Sequence, residues 1–385
     1  MKIAFVTETF PPEINGVAMT FGVITRELSR RHTVTVYRPT RTDLGTREKQ
    51  TSINEIFVPG LPIPRYPELR LGLPAHSKLK RFWKKERPDL VHVATEGPLG
   101  ASAITVARNL GIPVTSSFHT NFHTYTKHYG IGALKSLAIW WLRRIHNRTL
   151  ATFVPTEELL KELKDEGFNN LAILSRGVDT TQFGIQRRSE ELRKSWGANP
   201  TDPVVVHVGR MAPEKNYPLL FKAYERMKKI APNTIFVMVG DGPLRSQLSK
   251  EFPEAIFTGF VPRDDLARHY ASADIYIHAS LSETFGNVLT EAMASGLATV
   301  SFDYAATRKF VVNEKNGLCV NISDTEGFIL AAEKLVKESE FKNLIASEAN
   351  ASVINQSWEK VITHFEDQLI TLVDNFNKQS ANSIK

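Results

Sequence analysis

The sequence predicts an α/β protein with two doubly wound parallel sheets in tandem. Short runs rich in Val, Ile and Leu alternate with amphipathic helical runs along the whole chain, and the pattern restarts near residue 204. The apolar runs are continuous rather than strictly alternating, which is typical of strands covered by helices on both faces. Repeated strand–helix order favours parallel pairing. A chain of 385 residues also has the length of two domains of ordinary size.

The first domain is predicted over residues 1–183. Its opening strand, KIAFVTET, leads through a loop with Gly16 into a helix that ends near Arg31. Six more strands are expected, in HTVTVYRP, EIFVPG, LVHVAT, PVTSSFHT, LATFVPT and LAILSRG. A polar stretch over 184–203 follows, and we interpret it as an interdomain connection that contains some helix.

The second domain is predicted over residues 204–356. Its strands are expected in VVVHVGR, TIFVMVGDGP, AIFTGF, ADIYIHAS, LATVSF and GLCVNI, separated by helices such as YPLLFKAYERMKKI and RDDLARHYASA. The segment 357–385 begins with a final amphipathic helix at about 357–376 and contains no strand. We therefore expect that helix to return toward the first domain.

Composition indicates a globular protein of a reducing compartment. Hydrophobic residues make up 42% of the chain and charged residues 23%, and no apolar run approaches the roughly 20 residues of a membrane span. Cys319 is the single cysteine, so an intrachain disulfide is impossible. We expect Cys319 to be a strand residue and the protein to be cytoplasmic, with peripheral contact to the inner face of the cytoplasmic membrane as a further expectation.

Charge is distributed unevenly between the two halves. Residues 1–150 hold 22 Lys and Arg against 10 Asp and Glu, a net charge of +12, whereas the remainder has a net charge of −5. A basic half attracts nucleic acid, anionic lipid or a phosphorylated substrate. Composition alone does not choose among these partners.

The stretch HVGRMAPEKNYPLL is typical of an anion site. A strand ends at Val208, and Arg210 and Lys215 lie in the loop before a helix with Pro218 near its start. Helix N-termini offer unpaired amides and a positive dipole end. Two cations at such a position suit a diphosphate. The structural alternative is a solvated loop with surface charges.

The stretch LSETFGNVLTEAMASGL places two carboxylates around a turn. Glu283 lies in the loop after a strand, and Glu291 lies about a turn and a half into the following helix. Carboxylates accept hydrogen bonds from vicinal sugar hydroxyls, and phosphate oxygens suit the amides of the turn residues Phe285, Gly286 and Asn287. Alternatively, Glu283 compensates a nearby cation of the preceding motif and Glu291 is a solvated charge on the helix face.

Taken together, these motifs resemble those of the retaining glycosyltransferases of family 4. The pattern G-R-x-x-x-E-K-N, then G-D-G-P, then E-x₇-E followed by AMASG occurs in that order, and the resemblance covers nearly the whole chain. It implies the GT-B fold, with two Rossmann-like domains facing a central cleft and a C-terminal helix packed back across them. The segments FPPEINGVA and LPIPRYPELRLGLP are similar to those of a subgroup that forms glycolipids, which includes mannosyl- and sulfoquinovosyl-transferases.

The resemblance also implies roles for individual residues. Arg210 and Lys215 match the pair that neutralises the donor diphosphate, and Glu283 and His119 match the residues beside the transferred sugar. Gly16 matches the glycine that lets backbone amides approach the phosphate, Val261 falls where the nucleobase is recognised, and Glu291 matches the residue that holds the ribose. The amides of Phe285, Gly286 and Asn287 are the remaining donor-binding positions. Asn15 stands where close relatives often have a second glycine.

The implied reaction moves a hexose, with mannose from GDP-mannose as the best match, to a hydroxyl of a glycolipid or other acceptor with retention. A UDP-hexose donor carrying glucose, galactose or sulfoquinovose is the alternative. No metal is expected, since the chain has no Asp-x-Asp triplet, although His119, His123 and His128 lie close in sequence. A nucleotide-sugar epimerase, a non-catalytic nucleotide-binding module and nucleic-acid binding remain the other hypotheses, and the last lacks a recognised reading motif.

Residues 125–148 form one amphipathic run that predicts contact with a membrane surface. Adjacent Trp140 and Trp141 precede three arginines, Arg143, Arg144 and Arg148. Trp and Arg together suit a helix that lies in a bilayer interface. The alternative is a helix buried against the first sheet with solvated arginines. The basic first half and the glycolipid resemblance favour an anionic membrane surface.

Overall fold

The computed structural model describes residues 1–13, 15–40, 53–63, 66–119 and 132–382, which form two compact units. Unit 1 combines Met1–Arg176 with Trp358–Lys385, and unit 2 is Gly177–Ser357. Each unit has a parallel sheet flanked by helices, so the predicted fold class is confirmed.

Unit 1 is built on a seven-stranded parallel sheet in the order β3-β2-β1-β6-β7-β8-β9. Its strands are β1 Lys2–Val6, β2 Thr33–Pro39, β3 Asn54–Val58, β6 Leu90–Val93, β7 Val114–Ser117, β8 Thr152–Val154 and β9 Leu171–Ile173. The proline-rich segment forms a separate antiparallel pair, β4 Gly60–Ile63 with β5 Tyr66–Gly72.

The described residues of unit 1 contain six helices. They are α1 Gly16–Leu28, α2 His76–Lys85, α3 Pro98–Asn109, α4 Gly132–His146, α5 Glu157–Asp165 and α14 Trp358–Asn382. The last of these is the predicted C-terminal helix, and its apolar stripe of Ile362, Phe365, Leu369 and Val373 packs into the same core as β1 and α1. The contact between Phe365 and Phe153 is edge-on, with ring centroids 4.8 Å apart.

Unit 2 has a six-stranded parallel sheet in the order β12-β11-β10-β13-β14-β15. Its strands are β10 Val204–Val208, β11 Ile235–Val239, β12 Ile256–Gly259, β13 Ile275–His278, β14 Ala298–Phe302 and β15 Leu318–Val320. Its helices are α6 Glu190–Ser195, α7 Tyr217–Ile230, α8 Arg245–Glu251, α9 Arg263–Ser272, α10 Asn287–Ala294, α11 Ala306–Phe310, α12 Thr325–Lys337 and α13 Ser339–Val353. As expected, Cys319 is a residue of β15.

The polar stretch 184–203 differs from the connection that we expected. It packs within unit 2, where the guanidinium of fully buried Arg193 binds the Asp274 carboxylate at 3.0 Å and the Ser272 carbonyl at 2.8 Å. A polar composition suggests a linker, but here the charge is neutralised by a residue 81 positions away. Unit 2 therefore begins at Gly177, before the predicted connection.

Each sheet reverses its strand order once. The reversal in unit 1 lies between β1 and β6, and that in unit 2 lies between β10 and β13. Loops that leave two such strands diverge to opposite faces and open a crevice, where open α/β sheets bind their ligands. The loops after β10 and β13 contain Lys215 and Glu283, respectively.

Candidate functional site

Lys215 and Glu283 meet at the strand-order reversal of unit 2. A 3-10 turn, Pro213–Lys215, docks on the loop after β13 because the Leu281 amide donates to the Glu214 carbonyl at 2.8 Å. The Lys215 ammonium then contacts Glu283 Oε1 directly, and the two side chains are only 13% and 16% exposed. The structure thus contains the ion pair that the structural alternative for Glu283 anticipated.

The G-D-G-P turn holds the loop of Lys215 from the other side. At Gly240, whose φ is +132°, a Cβ atom would lie 2.0 Å from the Gly209 carbonyl oxygen. At Gly242 it would lie 2.5 Å from the Met211 carbonyl oxygen. In the sequence this turn indicates only a change of direction, but the structure shows that its glycines permit close backbone packing.

The electrostatics of Glu283 keep it ionised. Burial opposes the charge, but the Lys215 ammonium and the neighbouring His278 ring outweigh it and hold the pKa of Glu283 well below its usual range. The Nε2 atom of His278 is 3.2 Å from Glu283 Oε1. The Glu283 carboxylate is therefore charged at neutral pH, next to the Lys215 side chain.

His278 and its neighbours are site residues that the sequence analysis missed. The Tyr276 hydroxyl lies 3.1 Å from His278 Nδ1, and the His207 ring stacks at 5.9 Å from the His278 ring. Burial, assisted by His278, lowers the pKa of His207 to about 3, so His207 is neutral. The one available signal was position, since His278 is the last residue of a strand that ends at a candidate site.

The backbone conformation and the packing at the start of α10 explain why the turn contains a glycine at 286 and a phenylalanine at 285. Gly286 has φ +95°, and a Cβ there would approach nothing closer than 3.7 Å, so the left-handed backbone rather than space requires glycine. Phe285 is buried against Phe310, with ring centroids 6.0 Å apart. Asn287 opens the helix, and its buried Oδ1 has no hydrogen-bond partner among the described residues.

Glu291 is not a solvated helix-face charge. The hydroxyl of fully buried Tyr270 lies 3.3 Å from Glu291 Oε2. Burial raises the pKa of Glu291 to about 7, although nearby Arg263 and the Tyr270 hydroxyl favour the charged form. Val261 lies in the loop before α9, where it is partly buried against one of the two cores of unit 2.

Arg210 occupies the same loop as Lys215 but is exposed. The Tyr217 hydroxyl donates to the Arg210 carbonyl at 3.2 Å, and the Ala212 amide donates to it at 2.9 Å. These bonds fix the backbone at Arg210. The loop thus contains two cationic residues, the partly buried Lys215, which is paired with Glu283, and the exposed Arg210.

Gly16 and His119 belong to unit 1. Gly16 opens α1, and a Cβ there would meet nothing within 4 Å. Asn15 caps this helix, since its Oδ1 accepts from the Ala18 amide at 2.9 Å and its amide group donates to Thr9 Oγ1 at 2.6 Å. His119 follows β7 and packs edge-on against Phe21, with ring centroids 5.4 Å apart.

Unit 1 also gathers two carboxyl groups that the sequence analysis did not single out. Glu8 and Glu96 follow β1 and β6, the strands between which the order reverses. The Leu99 amide at the start of α3 donates to Glu8 Oε1 at 3.3 Å. Burial raises the pKa of each group to about 7, and the charge of Glu8 contributes to the shift at Glu96. Such a pair was invisible in sequence because 88 residues separate its members.

His119, His123 and His128, which lie close together in the sequence, were considered as possible metal ligands. The structure describes His119 but not the segment that contains His123 and His128. Among the described residues, no group of three or more His, Cys, Asp or Glu side chains is placed to hold a metal ion. The expectation that no metal is required remains a prediction.

Helix α4 presents an exposed aromatic face. Leu137, Trp140 and Trp141 are 59%, 46% and 47% exposed, while Leu142 and Ile145 are buried. The Arg144 guanidinium lies over the Trp140 ring, 5.6 Å from its centroid. No helix in the described ranges is both long and apolar enough to cross a membrane. The helix is thus packed on one side and apolar with basic residues on the other.

Two protein-family models match the chain and together cover most of it. Residues 14–182 match Glycosyltransferase Family 4, and residues 188–351 match Glycosyl transferases group 1. The first range lies almost wholly in unit 1, and the second lies within unit 2.

Similar proteins extend the match over the full chain. The chain is 30% identical over 379 residues to a GDP-mannose-dependent alpha-mannosyltransferase of Corynebacterium glutamicum, covering 95% of this chain and 89% of that protein. It is 26% identical to an alpha-monoglucosyldiacylglycerol synthase of Streptococcus pneumoniae, covering 99% and 88%.

A solved structure supports the fold independently. The Anabaena protein HepE, in complex with UDP, superposes with a TM-score of 0.78 at 17% identity, covering 96% of this chain and 100% of that one. At this identity the likeness bears on the fold alone. The family models and the near-full-length relatives show that the chain belongs to glycosyltransferase family 4 and transfers a sugar from a nucleotide sugar, and the likeness to HepE shows that it has the GT-B fold.

Proposed function

We propose that this glycosyltransferase moves mannose from GDP-mannose to a hydroxyl group of a glycolipid acceptor, with retention at the anomeric carbon. The observation that supports this most is the partly buried ion pair of Lys215 and Glu283 at the strand-order reversal of unit 2. The cation suits the diphosphate of the donor, and the carboxylate suits the hydroxyls of its sugar.

The pair can serve both parts of the donor at once. A lysine ammonium has three donor hydrogens, so Lys215 can keep its contact with Glu283 and still donate to a phosphate oxygen. Negative charge grows on the leaving diphosphate in the transition state, and preorganised donors there are usually the largest catalytic contribution. Arg210 would add the second cation, and the amides of 285–287 would complete the phosphate site. The departing phosphate would accept the proton of the acceptor hydroxyl.

The choice of GDP-mannose follows the mannosyltransferase of Corynebacterium glutamicum. Similarity to a monoglucosyldiacylglycerol synthase favours glucose as the second candidate sugar, for which we propose a UDP-hexose as the donor. A thermal-shift comparison should separate them, because a ligand stabilises a folded protein by RT ln(1 + [L]/Kd). We expect GDP to raise the Tm more than UDP at equal concentration.

Transfer itself is then measured with labelled GDP-mannose and diacylglycerol-based acceptors. We expect an α-linked mannosyl product that forms only when acceptor is present. A larger shift with UDP would contradict the donor assignment, and a new sugar formed from donor alone would identify an epimerase.

Replacing Glu291 by glutamine is expected to weaken GDP binding about 10-fold at pH 8, because a hydrogen bond to a charged group is worth about 1.5–3 kcal/mol. Glu291 has a pKa raised to about 7, so the wild-type affinity should fall as the pH drops from 8 to 6 and the carboxylate is protonated. The variant should lack this pH step in titration calorimetry. The matched control is Glu340→Gln, an exposed glutamate of unit 2. If both variants bound GDP with equal affinity and showed an equal pH step, Glu291 would not be the residue that contacts the ribose of the donor.

We also propose that the exposed face of α4, formed by Leu137, Trp140, Trp141 and Arg144, contacts an anionic membrane. Trp side chains favour the bilayer interface, and Arg favours anionic headgroups. The net charge of +12 in residues 1–150 adds a long-range attraction. A membrane-bound enzyme would meet a lipid acceptor at the surface where that acceptor resides.

The membrane proposal predicts that a double variant, Trp140→Ser with Trp141→Ser, loses most of its binding to vesicles that contain phosphatidylglycerol. Both side chains are half-exposed, so the substitutions should leave the Tm nearly unchanged. Vesicle co-sedimentation measures the loss, with phosphatidylcholine vesicles as the uncharged comparison. Undiminished sedimentation of the double variant would exclude α4 as the contact surface.

A further inference from the structure

The carboxylate of Glu283 is contacted by two residues of unit 2 at the same oxygen atom. His278 is the last residue of β13 and is only 4% exposed, and its Nε2 atom lies 3.2 Å from Glu283 Oε1. The ammonium of Lys215 contacts Oε1 as well. Among the described residues, both contacts are made to Oε1 and none is made to Oε2. The protein thus uses one oxygen of the carboxylate and leaves the other to a ligand.

The surroundings of the His278 ring decide which of its nitrogen atoms has a hydrogen. An ionised carboxylate only accepts hydrogen bonds, so the nitrogen that faces Glu283, Nε2, has to carry a hydrogen for the contact to be attractive. The other nitrogen, Nδ1, lies 3.1 Å from the Tyr276 hydroxyl. A hydroxyl both donates and accepts, so it pairs with Nδ1 whether the ring is neutral or charged. Nε2 therefore carries a hydrogen in both states of the ring.

The packing around His278 holds its ring in this orientation. Tyr276 is fully buried in the same strand, and the centroid of its ring lies 5.7 Å from that of His278, with 17° between the two planes. The ring of His207, in the neighbouring strand β10, is 5.9 Å from the His278 ring at the same angle. A side chain on a packed strand is held more precisely than one on a loop. His278 is therefore a fixed point for the loop that contains Glu283.

A carboxylate beside a single donor can exchange its two oxygens, because the last torsion of a glutamate side chain is broad and roughly two-fold. Two donors on one oxygen, supplied by different elements, oppose this rotation. We propose that His278, oriented by Tyr276, is a positioning residue that fixes Glu283 with Oε1 toward the protein and Oε2 toward the hydroxyls of the transferred sugar. This inference rests on the proposed function for the presence of that sugar.

The state of the ring is measured first, without substrate, from long-range ¹H–¹⁵N correlations of histidine-labelled protein. The His278 signals are assigned by their loss in His278→Gln. We expect a hydrogen on Nε2 throughout the range from pH 6 to 8, because both states of the ring have one there. A neutral ring with its only hydrogen on Nδ1 would overturn this inference, whichever sugar the protein transfers.

Replacing His278 by methionine removes the donor and fills a similar volume. We expect kcat to fall about 10-fold, the effect of one lost hydrogen bond to a charged group. The affinity for GDP, measured by calorimetry, should stay unchanged because GDP lacks the transferred sugar. His278→Gln should recover most of the rate, since the glutamine amide donates in place of Nε2. Tyr276→Phe keeps the ring, loses the hydroxyl and should reduce kcat about 3-fold, the effect of one neutral hydrogen bond.

The matched control is His269→Met, the same substitution at a buried histidine of unit 2 whose ring packs against Trp196 with centroids 5.5 Å apart. It should keep the wild-type kcat. In a Glu283→Gln background, His278→Met should lower kcat little further, because the carboxylate that it positions is already absent. Wild-type kcat in folded His278→Met, or equal losses in the methionine and glutamine variants, would overturn this inference. Absence of transfer by the wild type with GDP-mannose and UDP-glucose would instead overturn the proposed function.

Discussion

Replacing Lys215 by alanine is expected to reduce sugar transfer ~100-fold or more, the scale seen when one preorganised electrostatic donor is removed. In the proposed reaction Lys215 faces the charge that grows on the leaving diphosphate. Its ammonium is held by Glu283 and is only 13% exposed, whereas Arg210 of the same loop is exposed and does not occupy that position. The effect should fall on kcat more than on the donor KM, because the charge grows in the transition state.

The Lys215→Ala experiment needs a measurement of protein stability and a control variant. The substitution leaves the Glu283 carboxylate buried beside an empty position, which costs stability as well as activity. Tm and circular dichroism are therefore measured with the rates, and Lys222→Ala, at an exposed position on α7, is the control. Near-normal turnover in a folded Lys215→Ala enzyme would show that the diphosphate does not bind at this loop.

Replacing Glu283 by glutamine is expected to reduce kcat on the order of 100-fold while GDP alone binds nearly as well as before. A hydrogen bond to a charged group is worth about 1.5–3 kcal/mol, and Glu283 is proposed to accept two from the sugar hydroxyls. The nucleotide does not make these contacts, so its affinity should be preserved. This contrast separates the sugar contact from the diphosphate contact of Lys215.

The two readouts for Glu283→Gln are single-turnover transfer and titration calorimetry with GDP. Glu254→Gln, at an exposed position of unit 2, is the control. Because the pKa of Glu283 is held well below its usual range, its ionisation should not limit the wild-type rate at any pH above 5. If Glu283→Gln lost GDP binding in proportion to its rate, the residue would belong to the diphosphate site instead.

The fold was largely predictable because its signals are local. Continuous apolar runs identified strands such as β10, which lies entirely in the core, and the glycine at 286 identified the start of α10. The prediction that residues 184–203 form an interdomain connection was wrong, because the contact that buries this stretch is not local in the sequence. Arg193 is polar in sequence but buried in space, because Asp274, which is 81 residues away in the chain, neutralises its charge at 3.0 Å.

The candidate site was only partly predictable for the same reason. Lys215 and Glu283 were each visible as a charged residue in a loop after a strand. His278 and Tyr276 were assigned simply to a strand, because neither of them belongs to a motif. Their relevance depends on side chains from other elements, such as the Nε2 contact of His278 with Glu283.

Apolar periodicity, turn glycines and helix starts are properties of neighbouring residues, so the order of strands and helices and the loops that bear charge could be read directly from the chain. The pairing of Lys215 with Glu283 spans 68 residues, and it exists because two strands of one sheet bring their following loops to the same crevice. The protonation states of Glu283, Glu291 and His119 likewise follow from burial and from charges supplied by distant segments. Folding alone creates those environments, because desolvation and Coulomb energies depend on distance in space rather than on separation along the chain.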